Sequence, residues 1–174
     1  MTDMDAFFHK HYPDIYRLAV SFLKNSEDAA DMMQDTYMIV QKEQMKKNIL
    51  DMENPRAWLF RIVTNLCLNH VKKKWRIRDL LVRNAEQMIR RERYSNHYKS
   101  AEESVIFEDE QGKLNQLISQ LSPKNRILLE LFQRGLKYEE IAVALNIKKE
   151  CVGNKLYRVR TRLSNALKSQ GGLS

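Results

Sequence analysis

Residues 54–78 read NPRAWLFRIVTNLCLNHVKKKWRIR, and their spacing is the most informative pattern in the chain. Asn54 and Pro55 form an N-cap and first-turn pair that favours the start of a helix. Apolar residues then recur every three or four positions, which predicts a helix from Arg56 to about Lys74. Its expected buried stripe is Trp58, Leu59, Ile62, Val63, Leu66 and Val71. Its end is densely basic, with Lys72, Lys73, Lys74, Arg76 and Arg78.

Two more amphipathic helices are predicted upstream of this stretch. The first spans residues 5–23, with a bend expected near Pro13, and buries Phe7, Phe8, Tyr12, Ile15, Leu18, Ala19 and Phe22. The second is capped by Asn25 and Ser26 and runs to about Lys46. Its apolar side carries Ala29, Met32, Met33, Thr36, Tyr37 and Val40. A polar stretch, residues 47–53, separates it from the helix that begins after Asn54.

The composition and the weakening of the apolar pattern in mid-chain predict two all-α domains. The chain of 174 residues has only five glycines and three prolines, which favours helices with few tight turns. The pattern weakens from Asp79, although residues 79–93 can continue as a helix, and residues 94–112 are polar and then acidic. We therefore predict a domain at 1–93, a flexible linker at 94–112 and a helical domain at 113–174.

The formal charge of +8 favours an anionic partner, but it does not choose among nucleic acid, a membrane surface and an acidic protein. The first residues are acidic and poor in apolar side chains, which argues against a secretory signal. No run of about 18 apolar residues occurs, so a membrane span is not expected. These features predict a cytoplasmic protein whose two cysteines, Cys67 and Cys151, are reduced thiols.

Residues 138–163 have the internal spacing of a helix-turn-helix. Ile141 and Leu145 are expected to pack inward, and Ala142 is small where the two helices cross. Asn146 tolerates the left-handed backbone that the turn needs, and Val152 and Leu156 anchor the second helix. Long cations and an amide then occupy the outer face of that helix, which suits contacts with phosphates and base edges. A plain helical hairpin with a solvated basic face is the alternative.

Nothing in the sequence predicts an enzyme, a metal site or a cofactor. The four histidines are scattered, and no HExxH, CxxC or glycine-rich phosphate loop occurs. The acidic pairs, Glu139 with Glu140 and Glu102 with Glu103, have no nucleophile or base nearby. We interpret them as helix-start and linker charges, and we expect no catalytic residue and no metal ligand.

Three strings together resemble the small two-domain sigma factors of the extracytoplasmic-function (ECF) type in the sigma-70 family. They are DAADMMQDTY at 28–37, the W-L-x-R-I-x-x-N-L string at 58–66 and KYEEIAVALNI at 137–147. They occur in the family's order and span nearly the whole chain. The resemblance implies a factor that binds core RNA polymerase and directs it to promoters, melting the −10 element and reading the −35 element. It also implies an anti-sigma partner and a role in stress responses.

The resemblance assigns roles to individual residues. The core-polymerase-binding surface would comprise Asp31, Gln34, Asp35 and Tyr37, facing the coiled coil of the largest subunit, while the second domain would meet the β flap. The −10 set would be Asn48, Asn54, Arg56, Arg61, Asn65, Lys72, Lys73 and Arg76. The −35 set would be Lys149, Asn154, Lys155, Tyr157, Arg158, Arg160 and Arg162. The reading helix departs from the family pattern at Glu150, Cys151 and Gly153, which predicts unusual or weak reading of the −35 element.

Two other functions stay open at this stage. A stand-alone helix-turn-helix regulator would use the same second domain, but it should dimerise on palindromic sites, and the chain offers no evident dimer helix. A protein-interaction module would use the basic surfaces to bind an acidic partner. On pattern alone, the acidic face, the polar loop and the basic helix end can each be ordinary solvated surface.

Overall fold

The computed structural model describes residues 2–92 and 110–171, and within these ranges every regular element is helical. The elements are α1 (Asp3–Leu23), α2 (Ser26–Gln44), a 3-10 turn (Ile49–Asp51), α3 (Pro55–Glu92), α4 (Glu110–Ser119), α5 (Pro123–Gln133), α6 (Tyr138–Leu145) and α7 (Lys149–Gly171). The all-α class predicted from the sequence is therefore confirmed.

Local capping explains where the N-terminal helices begin. Thr2 and Asp5 form a reciprocal capping box at the start of α1. Asn25 accepts a hydrogen bond from the N–H of Asp28 at 3.0 Å, and Asn54 accepts one from the N–H of Ala57 at 2.9 Å. Each amide oxygen satisfies a backbone donor that has no partner within the helix, so the predicted starts of α2 and α3 are confirmed.

The core of the N-terminal unit lies between α1, α2 and α3. Its largest fully buried side chains there include Ile15, Leu18, Phe22, Leu59 and Phe60. The buried stripe predicted for α3 from the sequence did not include Phe60 and Cys67, which are both fully buried. Helix α3 contacts α1, α2, α5 and α6, so a wider part of its surface is buried than one apolar stripe predicts.

Two tyrosines expected in the core lie at its edge. Tyr12 is 36% exposed and Tyr37 is 37% exposed. Their rings extend the apolar faces of α1 and α2 toward solvent, where a phenolic hydroxyl can find a polar partner. Met4, which the sequence pattern did not include, is buried and completes the packing near the start of α1.

Helix α3 continues well beyond the predicted end near Lys74, to Glu92. Pro13 lies inside α1, which stays helical from Asp3 to Leu23. The predicted linker at 94–112 falls outside the described residues except for its last three positions. Those positions belong to α4, which begins at Glu110.

The C-terminal unit, α4 to α7, contains the predicted helix-turn-helix in α6 and α7. Asn146 has φ 52° and ψ 53°, the left-handed conformation expected at the turn. Ile141 and Val152 are fully buried, Leu156 is 3% exposed, and Ala142 is 7% exposed. Gly135, with φ 73°, ends the preceding helix and turns the chain toward α6.

The two units pack directly on each other, which the sequence did not predict. Helix α6 lies against α3, and α5 lies against α1. The buried apolar residues of both units form one continuous cluster, from Met4 in α1 to Val159 in α7. None of the described helices is long and apolar enough to cross a membrane.

The burial of Phe60 predicts a large loss of stability when its ring is removed. Phe60→Ala should lower the free energy of unfolding by about 3–5 kcal/mol, because it removes buried apolar area and leaves a cavity. Urea denaturation followed by circular dichroism measures this loss. Trp75→Ala is the matched control: Trp75 is 67% exposed on the same helix, and its replacement should change stability by about 0.5 kcal/mol or less. Equal losses in the two variants would contradict this account of the core.

Candidate nucleic-acid interface

One face of α3 carries an exposed row of cations and amides. Arg61, Asn65, Asn69, Lys72 and Arg76 follow one another at steps of three or four residues, and all are exposed. At about 1.5 Å per residue the row is about 22 Å long. Its cations can contact phosphates, and its amides can hydrogen bond to bases. We call these five residues the α3 row.

Lys73 lies beside the α3 row and is exposed, and Lys74, which is exposed as well, is paired with an acidic residue of α2. The ammonium of Lys74 lies 2.5 Å from an Oδ atom of Asp28, and His70 lies 3.4 Å from the same oxygen. The hydrogen bond from Lys74 lowers the pKa of Asp28. All three consecutive lysines are exposed, and Lys74 also links α3 to the start of α2 through Asp28.

The loop before α3 uses two predicted site residues as caps. The side-chain oxygen of Asn48 accepts hydrogen bonds from the N–H of Leu50 and from Gln44, both at 3.3 Å. Ile49 is fully buried and fixes the loop to the core. Asn54 caps α3 as described above. These bonds and the buried Ile49 attach the loop to the N-terminal end of α3, close in sequence to the α3 row.

Arg56 lies at the contact between the two units. Its Nη1 atom is 2.6 Å from Oε1 of Glu140 in α6, and its guanidinium lies 5.1 Å from the ring centre of Phe60. The second carboxylate oxygen of Glu140 accepts the N–H of Lys137 at 2.9 Å and caps α6. From the sequence, Glu140 was interpreted only as a charge at the start of a helix. No local pattern in the sequence indicates its pairing with a residue 84 positions away.

The predicted polymerase-binding residues of α2 share an exposed acidic surface. Asp31, Gln34 and Asp35 are all exposed. Met38 lies one turn further along and is 68% exposed, so it adds an apolar side chain to this surface. The exposure of Met38 could have been predicted from the sequence, because the residue falls outside the buried stripe of α2. The sequence analysis did not include Met38 in the polymerase-binding surface.

Tyr37, the fourth predicted residue, is tied to the start of α1. Its hydroxyl donates to Asp5 at 3.0 Å, and Gln41 donates to the same oxygen at 3.1 Å. The N–H of Thr2 and these side-chain donors together lower the pKa of Asp5 to about 2. Asp5 is therefore ionised at neutral pH and holds Tyr37 at the edge of the acidic surface.

The second helix of the helix-turn-helix presents all seven predicted reading residues to solvent. The exposed set is Lys149, Asn154, Lys155, Tyr157, Arg158, Arg160 and Arg162. Val152, Leu156 and Val159 on the opposite face are buried and anchor the helix. The ammonium of Lys149 lies 2.5 Å from the carboxylate of Glu139, which raises the pKa of Lys149 and lowers that of Glu139.

An open groove of about 590 Å³ runs along this helix beside Gly153. Tyr138, Leu156, Tyr157 and Arg160 are among the residues that line it. Gly153, which has no side chain, is one of the residues that line this groove. A Cβ there would lie 3.4 Å from the Tyr138 ring, an ordinary contact, so the helix packing itself does not require glycine.

The two cysteines differ in burial. Cys67 is fully buried in α3, and burial raises the pKa of its thiol to about 12. Cys151 is half-buried at the start of α7, and both are free thiols. Within residues 2–92 and 110–171, no three histidine, cysteine or acidic side chains are grouped as metal ligands would be.

Family comparisons match both units of the chain. The family Sigma-70 region 2 matches residues 7–77, and the family Sigma-70, region 4 matches residues 111–163. The first match contains the α3 row and the acidic surface of α2. The second contains the helix-turn-helix up to Leu163.

Similar proteins were found over nearly the full length of the chain. The ECF RNA polymerase sigma factor SigE of Mycolicibacterium smegmatis is 30% identical over 96% of this chain, which spans 62% of the length of that relative. SigV of Bacillus subtilis is 27% identical, with 91% of this chain and 82% of SigV covered. SigM of the same organism is 26% identical, with 97% and 96% covered.

A solved structure shares the fold. It is the sigma factor RpoE from Bartonella quintana in complex with the anti-sigma factor NepR. The TM-score is 0.61, the sequence identity is 23%, and the alignment covers 97% of this chain and 98% of that chain. At 23% identity, this similarity shows that the two chains share the arrangement of their helices.

Burial predicts different reactivity for the two thiols. In the native protein at pH 8, iodoacetamide should modify Cys151 and leave Cys67 intact, because the buried Cys67 thiol stays protonated and shielded from solvent. Mass spectrometry of peptides measures each site, and both should react in urea. Modification of Cys67 at the rate of Cys151 in the folded chain would contradict its buried position.

The groove at Gly153 predicts a stabilising substitution. Gly153→Ala should raise the free energy of unfolding by about 1 kcal/mol, since alanine is favoured over glycine inside a helix. Urea denaturation measures the gain. Gly135→Ala is the control: that backbone is left-handed, with φ 73°, so alanine should destabilise the chain there. A loss of stability in Gly153→Ala would mean that the Tyr138 ring cannot accommodate a methyl group.

Proposed function

The chain belongs to the sigma-70 family of transcription initiation factors, and we propose on that basis that it directs bacterial core RNA polymerase to a specific set of promoters. The family is not enzymatic: it recruits the polymerase, which performs the chemistry. The observation that carries the proposal is the presence of both family regions in order, each with its polar surface exposed. The protein would act in the cytoplasm, where its polymerase and promoter DNA are found.

The N-terminal unit would bind the −10 element. The α3 row and Lys73 present cations and amides along about 22 Å, a length that suits several nucleotides of a melted strand. The capped loop at 47–54 would hold an unstacked base at the end of this row, because a rigid loop lowers the entropic cost of fixing a base. Arg56 would join this surface once it is released from Glu140.

The acidic surface of α2 would bind the polymerase. Asp31 and Asp35 give it a negative field, which favours a basic helical partner such as the coiled coil of the largest subunit. Met38 would supply an apolar contact at the centre of this surface, and Tyr37 would border it. The C-terminal unit would meet the β flap.

The C-terminal unit would bind the −35 element with α7 in the major groove. Arg158, Arg160 and Arg162 remain exposed for phosphates and guanine edges, while Asn154 and Tyr157 can contact bases. Lys149 is paired with Glu139, so it would contribute less positive charge than an unpaired lysine. The missing side chain at Gly153 supports unusual or weak recognition of this element.

An anti-sigma factor is a further proposed partner. The solved structural neighbour is a sigma factor held by an anti-sigma factor. By analogy, a protein that covers the two units of this chain would prevent it from reaching the polymerase. Release of that protein under stress would then set the level of transcription.

The competing function is that of a stand-alone regulator, and it explains fewer of the exposed polar surfaces. It would use the helix-turn-helix but would have no need for the exposed α3 row or the acidic surface of α2. The two functions differ in one requirement, because only a sigma factor depends on core polymerase to act on promoter DNA.

In vitro transcription tests the proposal directly. Purified chain and bacterial core polymerase on a genomic fragment library should give discrete transcripts absent with core alone. The triple variant Arg61→Glu, Lys72→Glu and Lys73→Glu should reduce them by at least about tenfold, since each reversal replaces attraction to phosphate with repulsion. Lys10→Glu, an exposed reversal on α1, is the matched control and should retain activity.

Two outcomes would contradict the proposal. One is the absence of transcripts together with no binding to core polymerase. The other is tight binding of the free chain to palindromic duplex DNA, which would favour the stand-alone regulator. Equal transcription by the triple variant and the wild type would mean that the surface that binds the −10 element does not lie on α3.

A further inference from the structure

An exposed tryptophan lies on α3 at the edge of the α3 row. Trp75 is 67% exposed, whereas Trp58, the other tryptophan of the chain, is partly buried and packs against the core. Removing an indole ring from water is favourable, because the ring has a large apolar surface. The described fold nevertheless leaves most of the Trp75 ring in solvent. The ring is therefore accessible to a ligand.

Two exposed cations of the α3 row border this ring. At about 100° per residue, Trp75 lies about 60° from Lys72 around the helix axis, and Arg76 is the next residue. Side chains three positions apart on a helix are neighbours, with their Cβ atoms about 5–6 Å apart. Lys72 and Arg76 are both exposed. A ligand on the ring of Trp75 would therefore meet positive charge, which favours an anion.

The other large apolar side chains described as exposed on α3 lie on a different side of the helix. Ile77 is 48% exposed, Leu80 54% and Leu81 63%. They lie between about 120° and about 160° from Trp75 around the axis, so they do not form one apolar patch with it. The centre of a protein interface is apolar and depleted of charges. A single planar ring among cations instead suits single-stranded nucleic acid, whose bases stack on aromatic rings while its phosphates contact cations.

Trp75 and the loop at 47–54 lie at opposite ends of the α3 row. Asn54 and Trp75 are 21 positions apart. This separation is about 31 Å along the helix axis, at about 1.5 Å per residue. One base cannot reach both ends. The base received by the loop and a base on Trp75 would be two different bases of one strand, and the row between them would contact the phosphates that join them.

From this placement we propose that Trp75 is a stacking platform for an unpaired base of the melted promoter strand. This inference rests on the proposed sigma-factor function, to which it adds a DNA-binding residue. The indole would lie flat on the base, and Lys72 and Arg76 would contact the neighbouring phosphates. In a duplex each base is already stacked between its neighbours, so the ring would stabilise the melted strand relative to the duplex. Every base has a π-face, so Trp75 would favour melting without selecting a sequence.

Tryptophan fluorescence of the full chain tests the contact directly. At low salt, a single strand of about 12 thymidines should quench the emission of the wild type by at least about a third, because a base would lie against the Trp75 indole. Trp75→Phe is the matched control, since its only tryptophan is Trp58, and its emission should stay nearly unchanged. A duplex of the same length should quench the wild type much less than the single strand does.

The fluorescence outcomes separate a base from other ligands. Quenching that is absent in the wild type, or equal in the wild type and Trp75→Phe, would overturn the proposal. Equal quenching by the single strand and the duplex would also contradict it, because the bases of a duplex are not available for stacking. A peptide of about 12 glutamates controls for charge alone. Equal quenching by this peptide would assign the ring to an acidic protein partner instead.

Open-complex formation by the polymerase that carries this chain tests the role in melting. On a promoter found by the in vitro transcription above, Trp75→Ala should slow open-complex formation by about tenfold, because one stacking contact is lost. Trp75→Tyr keeps a ring and should stay within about threefold of the wild type. Trp75→Leu is apolar but not planar, and it should resemble Trp75→Ala. Permanganate reactivity of unpaired thymines measures the rate, and Leu81→Ala, on another side of α3, is the matched control.

The variants should all bind core polymerase as the wild type does. Equal rates for Trp75→Ala and the wild type would overturn the role in melting. Equal losses in Trp75→Tyr and Trp75→Ala would do so as well, because a ring would then not be what matters. If the wild type gives no promoter-dependent transcript, the sigma-factor function fails. The fluorescence of the free chain then still decides whether Trp75 stacks on unpaired bases.

Discussion

The burial of one side of α3 is the constraint on which the rest of the structure depends. Leu59, Phe60, Val63 and Cys67 must be removed from water, and they draw the neighbouring helices around α3. The same rigid helix carries the α3 row on its exposed side. Packing of the core therefore fixes the spacing and direction of the side chains proposed to bind DNA. A site on a packed helix needs little ordering when its ligand arrives.

The boundary between the two units combines buried apolar residues, which continue from one unit into the other, with charged contacts such as the pair Arg56 and Glu140. The Nη1 atom of Arg56 lies 2.6 Å from Oε1 of Glu140, whose side chain is 10% exposed. Breaking the Arg56–Glu140 pair without a replacement leaves a carboxylate that is largely buried, which is unfavourable. A polymerase surface or DNA phosphate that supplies new partners offsets that cost.

The helix-turn-helix shows how local electrostatics shapes the reading surface. Val152, Leu156 and Val159 place its cations outward, but Glu139 partly neutralises Lys149 near the start of the helix. Gly153 offers no side chain near the same end and lines an open groove together with Tyr138 and Tyr157. Positive charge is consequently concentrated toward Arg158, Arg160 and Arg162. Phosphate contacts, which position a protein on DNA without reading its sequence, would contribute more here than base contacts.

The sequence by itself determined the all-α class, the starts of α2 and α3, the left-handed turn at Asn146 and the exposed outer face of α7. These features depend on side chains within a few residues of each other, and capping and helical periodicity act over that range. It could not determine that Phe60 is buried, that Tyr37 bonds to Asp5, or that Arg56 pairs with Glu140. Those contacts join segments separated by tens of residues, and Arg56 and Glu140 meet only because α6 packs on α3. Such pairs are determined by long-range packing, which no local sequence pattern indicates.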